Sequence, residues 1–231
     1  MPPLAPSAGL YLLFVGVMLP LAALRSVARS GAVALPPRRV VFINTLLLLI
    51  VTGTLAIVTA RSIGLPIFAR HIPSARDLIA AALAAAIVGG WVPIGWRLRS
   101  PERRRRLLAL LPQTPGERGL WLVLTLAAGF FEEIIYRGVL FSIVMYLTHS
   151  WWVAALLCAL VFALVHAVQG LRSAIVVGVI ALIFQALVRV TGSLYEAMVV
   201  HFLYDLVVGL VIGAQARVIG AEAQPAAPPG V

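Results

Sequence analysis

Gly119 to Leu147 reads GLWLVLTLAAGFFEEIIYRGVLFSIVMYL, an apolar run interrupted by only three charged side chains, Glu132, Glu133 and Arg137. Polar and apolar residues do not alternate along it, and lipid offers nothing to satisfy an open backbone, so the run must be helical. Extended to Thr148 it would be about 45 Å long as one helix, against a hydrocarbon core of about 30 Å. It must therefore tilt, overhang or break, and Gly129 is the expected place for a break.

The surrounding sequence repeats this character. Further apolar stretches cover Gly9 to Leu24, Val40 to Ala60, Leu78 to Trp96, Trp151 to Val168, Ile175 to Val190 and Leu194 to Ala214. Together they predict an all-α, polytopic transmembrane helical bundle of about seven spans. With 62% hydrophobic and 11% charged residues and a mean hydropathy of +1.05, too little polar surface remains to coat a water-soluble globule. The 231 residues suit a single integral membrane domain over 1–231.

The net charge of +10 comes from arginine alone, since the chain has no lysine. Most arginines lie between apolar runs, as the positive-inside rule and anionic lipid would have them. Basic residues are not interleaved with aromatics, so nucleic acid is not expected as a partner; membrane lipid is. Gly9 to Leu24 has no basic residue before it and is followed by Arg25 and Arg29. That order is wrong for a signal peptide and suits a retained first span with the N-terminus outside. Counted from there, 13 arginines fall in cytoplasmic segments and 4 outside, which places the C-terminus in the cytoplasm.

The connector Ser100 to Gln113 holds Glu102, Arg103 to Arg106 and then Leu107, Leu108, Leu110 and Leu111. It reads either as an interfacial helix on an anionic leaflet or as a solvated basic loop. Glu222 to Val231 is rich in Ala and Pro and is expected to be disordered. Cys158 stands alone in an apolar run, which excludes a disulfide framework. His71 and His149 fall in loops and read as ordinary solvated histidines.

The first three spans carry almost no ionisable residue at membrane depth, and the later ones do. Each charge at a helix centre costs roughly 2.5 to 3.5 kcal/mol on insertion scales, so Glu132, Glu133 and Arg137 need compensation. Glu133 and Arg137 are four apart, acid first, and should pair. Glu132 lies about 100° around the helix from Glu133 and has no evident partner. An unpaired carboxylate in an apolar setting is the kind of group that can take a proton from water near neutral pH. The alternative is that both acids only brace helices through Arg137. Phe162 and His166 share a face of the fifth span, and His201 and Asp205 share one of the seventh. Each pair alone could be a packing link between helices. One polar site explains all three better than three separate accidents.

The ordered set Glu132-Glu133-x-x-x-Arg137, Phe162-x-x-x-His166 and His201-x-x-x-Asp205 resembles the three motifs of the CPBP family, the CAAX proteases and bacteriocin-processing (Abi-like) enzymes. The resemblance covers about Leu120 to Gly213, within a catalytic core expected over 119–214. It implies a glutamate-dependent endopeptidase acting on a peptide or protein substrate in or at the membrane of a bacterial cell. Glu132 and His166 would hold and deprotonate the attacking water, while His201 and Asp205 would stabilise the oxyanion. Glu133, Arg137 and Phe162 would give support.

Position 205 is commonly asparagine in that family, and an aspartate anion would repel an oxyanion. Asp205 is therefore protonated, or orients His201 as a charged donor, or belongs to a metal site. In the last case Glu132, His166, His201 and Asp205 would bind a divalent ion such as zinc. No cofactor is the favoured expectation. Two other functions stay open: a non-catalytic membrane scaffold or immunity protein, and a small transporter with a proton-relay carboxylate. One difficulty is geometric. By helical rise His166 and His201 differ by roughly 13 Å in depth, so tilted or broken helices must bring them together.

Overall fold

The computed structural model describes residues 5–29, 36–68, 71–97 and 99–222. It is a helical bundle without strands among those residues. Seven helices are long and apolar enough to cross a membrane, which makes this an integral membrane protein. They are α1 (Pro6–Ala28), α2 (Arg38–Ser62), α3 (Ala75–Arg97), α5 (Pro115–Thr148), α6 (Trp151–Gln169), α7 (Leu171–Thr191) and α8, whose spanning part is Tyr195–Ala214. A short helix, α4 (Pro101–Ala109), joins α3 to α5. The expected tail lies outside the described residues from 223 onward; α8 itself continues through Glu222.

Local chemistry sets where these helices begin and end. Thr114 opens α5 with a capping box: its Oγ1 accepts from the Glu117 N–H at 3.2 Å, and Glu117 Oε2 accepts from the Thr114 N–H at 3.0 Å. Pro115 follows at the first helical position, where its missing N–H is no loss. Ser150 caps α6 in the same manner through the Val153 N–H. Gly192, at φ 70°, ends α7 in the left-handed conformation that suits glycine.

α5 does not break at Gly129. It runs α-helically from Pro115 to Glu132, widens to a π-helix over Glu133–Leu140, and returns to α-helix over Phe141–Thr148. All eight residues of the π segment are buried. Such widened turns are rare and occur often at functional sites. Gly129 serves another purpose. A Cβ there would stand 2.9 Å from the Met198 carbonyl oxygen and the Phe202 nitrogen, so hydrogen is all that the contact between α5 and α8 admits. This close approach lays the end of the first α-helical part of α5 against the middle of α8.

Of the two readings of this connector, the structure forms the helix and not the loop, and two of its leucines face protein. Leu108 and Leu111 are buried with Ile212 of α8, against Val92 and Trp96 of α3 and Trp121 of α5. Arg104 donates to the carbonyls of Trp96 and Arg97 at the end of α3, and its guanidinium lies 5.3 Å from the Trp96 ring centre. Satisfying the last carbonyls of a helix with a cation suits its negative end.

His71 also departs from expectation. Its Nε2 lies 2.8 Å from Glu196 Oε1 and 3.8 Å from Asp77 Oδ2. It ties the segment before α3 to the first turn of α8 instead of standing in solvent. Nothing in the loop sequence indicates this, because the partner Glu196 is 125 positions away.

Candidate active site

The polar groups of α5, α6 and α8 meet in one cluster. Glu133 is fully buried, and its Oε1 accepts from Arg137 Nη1 at 3.1 Å and from the Nδ1–H of His201 at 2.8 Å. The pair expected from i,i+4 spacing is thus present, and His201 joins it. The other ring nitrogen of His201, Nε2, lies 3.6 Å from Glu132 Oε2 and 3.4 Å from Asp205 Oδ2. Two successive glutamates therefore address the two sides of one imidazole. Glu132 ends the first α-helical part of α5 and Glu133 is the first π-helical residue, so the change of pitch falls between them.

The two glutamates differ in access. The Glu133 side chain has no exposed surface, while those of Glu132 and Asp205 retain 14% and 32%. Glu132 lies within electrostatic reach of His166, His201, Asp205 and Arg137.

His166 is the capping residue at the end of the α-helical part of α6, and a 3-10 turn over His166–Gln169 follows it. Its Nδ1–H donates to the Phe162 carbonyl at 2.8 Å. That bond fixes the tautomer of the neutral ring, leaving the Nε2 lone pair for another partner. Phe162 stands near both histidines. The ring centre of Phe162 lies 4.4 Å from that of His166 and 6.5 Å from that of His201.

Arg137 is held by aromatic faces as well as by Glu133. Its guanidinium carbon stands 4.6 Å from the centre of Phe162 and 5.6 Å from that of Phe184. Cation–π contact of this kind supports a buried cation that lipid cannot solvate. Phe184, which also lies 5.4 Å from His201, was not legible as a site residue. In the sequence it is one more apolar residue of α7. The same holds for Trp121, whose Nε1–H donates to the Asp205 carbonyl at 3.1 Å. Gly209 makes room for it, since a Cβ there would overlap the indole.

Among the described residues, no three His, Cys, Asp or Glu side chains converge as a set that could hold a metal ion. The His201 nitrogen facing Glu133 is already committed to that carboxylate, and Glu132 and Asp205 approach only the other. Glu132, His166, His201 and Asp205 do not form such a set.

The order of these groups can be compared with known proteins. Residues 114–207 match the family model described as type II CAAX prenyl endopeptidase Rce1-like. Over these residues the chain is similar to that family. The matched segment contains the whole cluster, from Glu132 through Asp205, and the resemblance drawn from the three motifs stands. UPF0177 protein YvdC of Lactococcus lactis subsp. lactis (strain IL1403) is 36% identical over 88 residues, which are 38% of this chain and 33% of that protein. The chain thus spans about a third of the length of this curated relative. No solved structure matches the chain. The Rce1-like family is a protease family, and the matched residues run through α5, α6 and α8, the three helices that form the cluster.

Proposed function

We propose that the protein is an intramembrane endopeptidase that hydrolyses a peptide bond of a membrane-associated substrate, with Glu132 as the base that activates water. The observation carrying this reading is the inequality of the two glutamates. Glu133 is sealed and committed to Arg137 and His201, while Glu132 is accessible and stands 3.6 Å from His201 Nε2.

In this reading His166 Nε2 and the Glu132 carboxylate share the attacking water. Glu132 takes a proton as the water oxygen bonds to the substrate carbonyl carbon, giving a tetrahedral intermediate with a negative oxygen. His201 donates from Nε2 toward that oxygen. Asp205, 3.4 Å from Nε2, and Glu133, at Nδ1, hold the ring as a donor from both sides. Of the roles open to Asp205, orienting a charged His201 is the one these distances support. Collapse of the intermediate breaks the C–N bond, the proton held by Glu132 passes to the leaving nitrogen, and a new carboxylate and a new amine depart. The arginine distribution supports an N-terminus outside and a C-terminus in the cytoplasm.

Comparative proteomics of membranes holding the wild-type chain or the Glu132→Gln chain tests this. A membrane protein that persists as a longer precursor only with Glu132→Gln is the expected result. Identical membrane protein profiles, with both chains present at equal level, would refute the assignment.

A further inference from the structure

A second site lies where α5 begins. Between its first turns and the C-terminal half of the spanning part of α8 is a cleft of about 590 Å³, lined by Arg118, Gly119, Leu122, Leu206, Leu210 and Ala214. Its size falls within the roughly 300–1,000 Å³ usual for ligand sites. Leu122 and Leu210 are exposed on helices that cross the membrane, so the cleft opens where lipid chains pack.

Arg118 gives this apolar trench a charged end. Its Nη2 is buried and has no hydrogen-bond partner among the described residues. The adjoining acid cannot serve it: Glu117 accepts from the Gln113 and Thr114 N–H groups and pairs with Arg38 at 3.5 Å. The neighbourhood is cationic otherwise, with the Arg39 guanidinium against Gly116. A buried guanidinium edge left without an acceptor is costly, and an anion would remove that cost. A free soluble anion would have no use for the leucine walls, and a zwitterionic lipid would bring its own cation to a cationic end.

We propose that this cleft binds an anionic phospholipid, with the phosphate on Arg118 and an acyl chain along Leu122, Leu206, Leu210 and Ala214. The site lies apart from the Glu132 cluster and does not depend on the proteolytic reading.

The test uses the full chain, purified in a neutral detergent. Phosphatidylglycerol, phosphatidylcholine or inorganic phosphate is added, and both the midpoint of thermal unfolding and the lipid retained in native mass spectrometry are read. Phosphatidylglycerol should raise the midpoint and be retained, and the other two should not. Arg118→Gln should weaken phosphatidylglycerol binding roughly five- to tenfold, the loss expected for one charge contact. Arg118→Lys should restore part of it. Leu210→Trp should reduce retention by filling the trench with the charge intact, and it decides the matter if Arg118→Gln does not fold. Equal retention of phosphatidylglycerol and phosphatidylcholine, a full shift with inorganic phosphate alone, or undiminished retention by Leu210→Trp would each overturn the proposal. So would a photo-crosslink from position 206 that captures the chain's own residues 223–231 in place of lipid.

Discussion

Glu133 of α5 and His201 of α8 are joined across 68 positions of sequence by a 2.8 Å hydrogen bond, and the same Glu133 oxygen also holds Arg137. One oxygen thus balances a permanent cation and orients an imidazole. Glu133→Gln should lower stability by about 3 to 5 kcal/mol, because it leaves the Arg137 guanidinium buried without its counter-charge. Thermal unfolding in detergent measures this. A Glu133→Gln protein with wild-type stability and no proteolytic activity would mean that the two glutamates have exchanged roles.

Glu132→Gln should behave differently. Its side chain keeps 14% of its surface exposed and is not paired with Arg137, so unfolding should occur at the wild-type temperature or above it. Turnover of an accumulating precursor should fall at least ~100-fold, the size typical of losing a positioned proton acceptor. A strong drop in stability with activity retained would favour the scaffold reading.

These two predictions rest on a distinction that spacing revealed only in part. Seven apolar runs were legible because hydrophobic length is read directly from composition, and the Glu133–Arg137 pair because a single helix fixes the separation of its own residues. The bond from Glu133 to His201 was not legible, since the relative rotation of two helices appears nowhere in either sequence. Phe184 was hidden for a related reason: an aromatic residue that supports a cation has the same local pattern as one that fills a core. The protein contacts of Leu108 and Leu111 were not legible because such leucines suit a protein surface as well as a lipid one. The π segment went unseen because it leaves no mark in hydrophobic periodicity, and Gly129 looked like a breaker where it is a point of contact.

Gly129→Val should therefore act as a wedge. The side chain would meet the Met198 carbonyl and the Phe202 backbone, driving α5 from α8 and opening the distance between Glu132 and His201. A loss of about 1 to 3 kcal/mol in stability, as for other overpacked contacts, should accompany a loss of activity out of proportion to it. Gly129→Ala should show both effects more weakly. Unfolding midpoints and precursor cleavage rates of the two variants, measured together, check the order.

On the other face of α8, His71 is expected to be structural. Glu196 is 6% exposed, and its Oε2 has no hydrogen-bond partner among the described residues, so His71→Ala would leave the carboxylate without its near donor. The expected cost is about 1 to 3 kcal/mol. The double variant His71→Ala, Glu196→Gln should recover part of this, because the neutral amide is cheaper to leave buried. Additive losses in the unfolding midpoints would refute the coupling.

The burial of every residue from Glu133 to Leu140 bears on how the protein would respond to its host membrane. The widened turn touches only protein, so acyl chains that lengthen, shorten or stiffen cannot press on it directly. Fluctuations of the bilayer can reach this turn only after the surrounding helices have tilted, and those helices then act as a mechanical filter. The geometry of the turn is insulated from lipid composition to the degree that this outer ring is rigid.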